Sequence, residues 1–449
     1  MQSTLLDWAI NHGGVLEVIP TAAEHCDAER PRRVPYSIAL MRRMLAVALA
    51  AQIVGVTAVA AQQRPSVRPL GPVAKVSPPD VLGSVSQVRP LSGGGVLVND
   101  WVRHQVVLLD REFRKVRAIV DVTPATGGML GTFFGLLPFK GDSSLIMDPS
   151  SLSMLVVDAN GEIVRVMALP SVNETLLMTG SPYGTPGVDS RGRLIFVGGA
   201  ARTAPSIQPT LPDQYVSADS APLRRVGLAT RVRDTLTYVK IPPETHAFLR
   251  DRDDQISGLV RTMSPIPIVD GFALMRDGHV AVVRGKDYHV DWLGPDGNWI
   301  ATPKIAFDWE RLDDAGRQMV GDSATAAYEK EQEEANLKAR TGSGSQVPRA
   351  ARGRGEVNMT VRMQVAALQD YRPAFGRNAV RADAEGNLWV RTSARSDAGA
   401  IYDVINGKGE LVDRVKLPFG RVISGFGPGV VYMGVLDDVG ARLEMARIR

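Results

Sequence analysis

The sequence is almost without cysteine: Cys26 is its single thiol, and it lies ahead of an apolar run that reads as a removable segment. The chain beyond that run therefore forms no internal disulfide and offers no thiolate to a metal or a substrate. Histidine is scarce too. Of six, only His104, His246, His279 and His289 follow the apolar run, and none is spaced for a local metal motif. No G-x-S-x-G elbow, H-E-x-x-H pair or glycine-rich loop opening a helix occurs. Gly93-Gly94-Gly95 falls between two apolar segments, as a hairpin turn does. Asp251-Arg252-Asp253-Asp254-Gln255 is followed by Ile256 where a calcium loop needs glycine, so it reads as a charged surface. Charge of one sign is lacking as well, with 52 Lys+Arg against 48 Asp+Glu and no basic face interleaved with aromatics. Nucleic acid is excluded as a partner on that ground. These absences leave no metal site, no cofactor and no assignable catalytic residue to expect.

Long apolar runs are also missing, with one exception near the N-terminus. After Arg42-Arg43, Met44 to Val59 is apolar but for Gln52 and Thr57, and Ala58-Val59-Ala60 supplies small residues for cleavage. The run falls short of the roughly 20 residues that span a bilayer. It is expected to be a signal peptide over 41–61, cut to leave a periplasmic or secreted protein with no membrane span. Residues 1–40 are then either an extension ahead of the true start at Met41 or an unusually long n-region. Residues 62–78 read as a Pro-rich leader ending in a short strand, Val73–Val76.

What fills the rest is a repeat. Val96–Asp100, Val106–Asp110 and Val116–Val120 are apolar segments separated by turns, and Leu145–Asp148, Met154–Asp158 and Ile163–Leu169 repeat the plan. Asp100 to Asp148 and Asp110 to Asp158 are both 48 residues apart. Looser copies open at Asp189, Arg276, Asp383 and Phe426, with Gly or Asn where hairpins need positive φ. A sheet of short apolar strands cannot bury both its faces alone, so neighbouring sheets must stack around an axis. The expectation is an all-β chain, a six-bladed β-propeller over 79–449. The last unit lacks one strand, which Val73–Val76 can supply by pairing with it. Two stretches break the rhythm: 199–222, Pro/Ser-rich, and 306–356 between the fourth and fifth units. The latter reads as a helix over Phe307–Arg340 with Asp313–Arg317 and Glu334–Lys338 pairs, then a basic Gly/Ser-rich linker containing Arg349, Arg352 and Arg354. Residues 356–365 alternate like a returning strand.

The D-x-x-G-x-L-x-V openings at Asp189–Val197 and Asp383–Val390 resemble bacterial six-bladed propellers of the NHL/TolB-like kind over roughly residues 72–449. That resemblance implies ligands at a mouth of the central channel. The residues in that kind of place are Asp100, Trp101, Arg103, His104, Asp148, Arg284 and Arg391, with Asn99 beside them. Lactonase-like relatives hold calcium there with acidic and amide side chains. At the matching strand ends Asp100 and Asp148 with Arg284 and Arg391 suit a polar or anionic ligand better, and the carboxylates also suit plain turn capping. The function expected is a non-catalytic exported binding protein for a small polar ligand. The alternatives are a calcium-dependent lactonase or esterase and a component of a cell-envelope complex docking on an envelope protein.

Overall fold

The hairpins of this chain are set by one local device, an Asp or Asn whose side chain accepts two nearby backbone amides. Asp110 accepts from Glu112 and Arg114, Asp158 from Asn160 and Glu162, Asp189 from Arg191 and Arg193. Asp383 and Asn406 do the same with the amides two and four residues on. Glycine follows at the left-handed position, as at Gly161, Gly192 and Gly386 (φ +82°, +73° and +90°), where a Cβ would be strained.

In the computed structural model these hairpins join short strands into antiparallel sheets. The described residues are 64–121, 134–200, 213–252, 256–341, 360–394, 396 and 399–449. The readings made for the signal peptide, residues 201–212 of the Pro/Ser-rich stretch, part of the acidic segment after Asp251 and the basic linker lie outside them. Sheet I runs Gln87–Pro90, Val96–Asp100, Gln105–Leu109, Lys115–Asp121. Sheet II is Gly135–Pro138, Ser144–Asp148, Ser153–Val157, Ile163–Ala168, and sheet III is Gly187–Val188, Arg193–Val197, Ser220–Gly227, Arg233–Lys240. Sheet IV is Gly271–Leu274, Val280–Arg284, His289–Leu293, Trp299–Ala301, and sheet V is Phe375–Ala382, Leu388–Thr392, Ile401–Ile405, Leu411–Lys416. Sheet VI contains Arg421–Gly427, Val430–Asp437 and Gly440–Arg447, and its fourth strand comes from the other end of the sequence. Val73–Val76 pairs antiparallel with Gly440–Arg447, and Val67–Pro69 adds a parallel fifth strand to sheet V.

The first strands adjoin in succession from sheet I through sheet V, and the first strand of sheet VI returns to that of sheet I. Sheets V and VI share a buried cluster that includes Trp389, Tyr402, Val431 and Met433. The core accordingly lies between sheets, where apolar second and third strands meet, while outer strands such as Ile163–Ala168 are largely exposed. All-β sheets stacked this way make a β-propeller-like fold. Close approach is visible at Gly425, where a Cβ would stand 2.3 Å from the Val88 carbonyl oxygen of the neighbouring sheet.

A seventh sheet breaks the plan. It joins Gln214–Val216, Thr245–Arg250, Ile256–Met263 and Thr360–Val365, drawn from three separate connections. Within the alternating stretch Thr360–Val365 thus returns as a strand, but parallel to Ile256–Met263 and outside the repeating sheets. In an up-and-down sheet the second-to-third turns share a face with the sheet-to-sheet connections. All three contributions therefore lie on one face, and the seventh sheet is a cap on it.

Two helices accompany the sheets among the described residues, α1 (Thr175–Thr179) and α2 (Asp314–Thr341). Neither is long and apolar enough to cross a membrane. Helix α2 starts later than its sequence suggests, because the Asp313 carboxylate accepts the Gly316 amide at 2.7 Å and caps it. That role replaces the expected Asp313–Arg317 ion pair, and Arg317 instead pairs with Asp314 and with Asp370, the latter at 2.9 Å. The side chains of Glu334 and Lys338 are not among those described. The feet of the excursion are tied together, Leu312 N to Asp370 O at 2.7 Å and Arg372 N to Glu310 O at 2.9 Å.

Candidate functional site

Asp100, Trp101, Arg103 and His104 share the second-to-third turn of sheet I, and Asp148 ends the same strand of sheet II. Asp100 is fully buried and accepts from Gly83 N (2.8 Å), Ser84 Oγ (3.0 Å), Arg103 N (3.2 Å) and Gln105 Nε2 (3.3 Å). Asp148 accepts from Ser150 N and from the hydroxyls of Ser150 and Ser151. Asp148 spends its lone pairs on its own hairpin, and Asp100 divides its own between its hairpin and the Gly83-Ser84 segment ahead of sheet I. Arg103 donates to the Val81 carbonyl, Trp101 is 38% exposed, and His104 sits at φ +50° within the turn.

Arg284 ends the second strand of sheet IV and is enclosed by carboxylates. It donates to Asp270 at 2.8 Å and to Asp291 at 2.7 Å. Burial opposes its charge, but the hydrogen bonds it donates to Asp291 and Asp270, with their negative charges, outweigh that and hold its pKa above the ordinary value. His289 bridges Asp291 and Asp287 at 3.2 and 2.8 Å, extending the chain of charges outward. Arg391 is exposed on the second strand of sheet V. The residues chosen from sequence thus stand at the ends of second strands or on the turns that follow them, in four different sheets.

A tighter polar cluster forms where the cap meets the ring, and sequence reasoning passed over it. Glu244, His246 and Arg261 come from the cap. The Arg261 guanidinium donates to the Glu244 carboxylate, and His246 Nε2 lies 3.5 Å from the same oxygen. Tyr215 stacks on the imidazole, ring centroids 4.6 Å apart and 2° from parallel. Glu244 is itself fixed by the Ser217 hydroxyl, which accepts its amide at 2.8 Å. Burial lowers the His246 pKa below 6.5 against the pull of Glu244, with Arg261 adding to the burial effect. The imidazole is therefore neutral at pH 7, and its buried Nδ1 has no hydrogen-bond partner, nor does the buried Nε of Arg261.

The ring contributes Tyr183, from the connection into sheet III, and Arg377, at the bulged start of the first strand of sheet V. Burial raises the Tyr183 pKa, while a hydrogen bond and the positive charge of Arg377 oppose that and Glu244 adds to it. Tyr183 thus feels a cap residue and a ring residue at once. Chemically the cluster offers two guanidinium groups, a neutral imidazole with an open nitrogen, and a phenol. That set suits a ligand bearing an acid group and a hydrogen-bonding group. Among the described residues no group of three or more His, Cys, Asp or Glu is placed to hold a metal. A surface hollow of about 810 Å³ lies elsewhere, at the first turn of α2 against Glu310, Arg311 and Asp370.

Fold and site together define a propeller-like protein with a mouth roofed by its own loops. Neither a protein-family model nor a curated protein sequence matches the chain. Among solved structures the chain is similar to a DUF4221 family member from Bacteroides vulgatus, at 9% identity and a TM-score of 0.46, covering 86% of this chain and 99% of that one. It is similar to a gluconolactonase from Xanthomonas campestris at 12% identity, TM-score 0.37, covering 85% and 99%. A virginiamycin B lyase from Staphylococcus aureus stands at 9% identity, TM-score 0.35, covering 84% and 88%. The fold assignment rests on this chain's own strand pairing.

Proposed function

We propose that the chain is an exported, six-bladed β-propeller that binds a small acid-bearing ligand at its capped mouth and performs no chemistry on it. Six sheets sharing one meander plan, with the first strand of the last returning to that of the first, support the blade number. Export rests on Arg42-Arg43 and the apolar run after them. The observation that carries the binding reading is the cluster of Glu244, His246 and Arg261 on the cap beside Tyr183 and Arg377 on the ring. A roof built from three connections costs conformational entropy to order. The unpartnered buried atoms that it carries on His246 and Arg261 give that cost a use.

A calcium-dependent lactonase or esterase is the competing reading. It draws its metal ligands from the second-to-third turns, where Asp100 and Asp148 are engaged by amide and hydroxyl donors. The test is a thermal melt of the full chain against gluconate, glucuronate and succinate, repeated with Arg377→Gln and Arg261→Gln. A ligand binding only the folded state at 100 times its Kd adds about 2.7 kcal/mol, visible as a raised Tm. The expected result is a shift with at least one acid that each variant weakens about tenfold. No shift with any acid, together with calcium-dependent turnover of a lactone or ester, replaces this reading with the hydrolase. A shift produced only by envelope extract replaces it with the complex component.

A further inference from the structure

Large apolar side chains in solvent are shared unevenly between the two faces of the ring. On the face of the first-to-second and third-to-fourth turns, the described turns leave one such side chain exposed, Val232. The capped face exposes them in most of its described loops. Val102 and Leu152 stand at the second-to-third turns of sheets I and II, and Leu436 and Val439 at that of sheet VI. Val172 lies in the connection from sheet II to sheet III, and Phe419 in that from sheet V to sheet VI. Phe419 and Leu436, 78% and 76% exposed, are the most exposed of the large apolar side chains described. Scattered singly such residues need no explanation, but gathered on one face they mark a contact surface.

The described chain begins on that same face. Arg64 donates to Asp308 and lies 5.6 Å over the Phe307 ring, both in the connection from sheet IV to sheet V. Phe307 in turn meets Tyr288, of the second-to-third turn of sheet IV, edge-on at 5.7 Å. Trp309, edge-on to Phe307 at 5.4 Å, and Tyr371, which bridges to Arg311 two residues on, are both exposed beside this point. Half-exposed Trp and Tyr rings suit the boundary between lipid and water. The apolar run Met44 to Val59 ends with four residues left before Arg64, roughly 18 Å of extended chain at most. Charge on the face is of both signs: Arg103 follows Val102, and Asp437 and Asp438 stand between Leu436 and Val439. Anionic headgroups are therefore not what it selects. Single side chains on separate loops suit a fluid apolar layer, into which each inserts alone, whereas a protein partner needs them joined in one packed patch.

We infer that the capped face rests on a lipid bilayer, its loop tips dipping into the interface without spanning it. Before the apolar run is cut, insertion of the run brings this face to the membrane; after the cut, the loop tips keep it there. The inference rests on the run being membrane-inserting, as the export reading has it, and not on the capped-mouth ligand. The experiment places an environment-sensitive dye on one cysteine at a time, Val102→Cys, Phe419→Cys or Val232→Cys, in the full chain carrying Cys26→Ser. Phosphatidylcholine vesicles are then added, with or without phosphatidylglycerol. All three positions are exposed, so the variants fold. The expected result is a blue shift at the Val102 and Phe419 positions with either lipid and none at the Val232 position. Adding Leu436→Asp and Val439→Asp should reduce the shift at the Phe419 position. Flotation of the chain with vesicles but no shift at either tip means that the run inserts while the face stays clear, and overturns the inference. Neither flotation nor shift overturns it together with the reading of the run. An equal shift at the Val232 position, or a shift that needs phosphatidylglycerol, overturns it as well, since the contact is then unoriented or made by headgroup charge. A shift without vesicles that grows with protein concentration overturns it too and gives the face to a second copy of the chain.

Discussion

His246 shows how one side chain ties stability to the candidate site. Its folded-state pKa lies below the ordinary 6.5, so the unfolded chain binds the proton more readily. The sign follows: this contribution is fully present above pH 6.5 and is lost as pH falls through 6.5 toward and past the folded value. Urea melts of the parent should therefore weaken from pH 7 to pH 5, and His246→Gln should flatten that slope. An unchanged slope means the imidazole titrates as in water. Asp403 acts on packing instead. It is fully buried, accepts the Tyr288 hydroxyl at 3.0 Å and Arg414 Nε at 3.2 Å, and links sheets IV and V. Burial raises its pKa, with Tyr288 and Arg414 opposing. Asp403→Ala leaves a buried phenol and guanidinium unpaired and should cost about 3–5 kcal/mol in denaturant melts. Asp403→Asn, which keeps an acceptor, should cost less. Neither residue announces itself in sequence, because each takes part of its role from distant partners, Tyr215 and Arg261 for His246 and Tyr288 and Arg414 for Asp403. Asp189 and Asp383 were legible for the opposite reason, since their partners lie within six residues.

At the scale of elements the same division holds. Hairpins are local, so the repeat and its turns can be read from Asp-x-x-Gly and alternating apolar residues. The cap cannot, because Gln214–Val216, Thr245–Arg250 and Thr360–Val365 meet across more than 140 residues of chain. A strand that pairs in a distant sheet has the same alternation as one that closes a nearby hairpin. The helical excursion was legible in kind but not in its start, which depends on one aspartate capping rather than ion-pairing. Because Leu312 and Asp370 already bond to each other, residues 313–369 can be replaced by a two-residue Asn-Gly turn. The ring should still melt in one transition with its far-ultraviolet strand signal intact. Ligand binding at the capped mouth should weaken, since the cap loses its Thr360–Val365 edge. A multiphasic melt would instead make the excursion part of the ring's own core.

The whole molecule depends on joining its two ends. Val73–Val76 is exposed along its length, so it contributes little apolar burial; its value is the backbone pairing it gives Gly440–Arg447. Val67–Pro69 continues the join, with Arg68 forked onto Asp413 at 2.6 and 2.9 Å. Backbone hydrogen bonds worth about 1 kcal/mol each put the two pairings together at roughly 3–5 kcal/mol. Removing them also bares the outer edge of sheet VI, a row of free amides and carbonyls ready to pair with another chain. A chain starting at Ser77 should accordingly melt several degrees below one starting at Arg64 and should form dimers or larger species by light scattering. Adding back a peptide of residues 64–76 should restore both properties, since it supplies the missing strands without closing the chain. If the shortened chain is monomeric and as stable as the longer one, the ring is held by the contacts between first strands alone, and the N-terminal strands are ornament on a structure already closed.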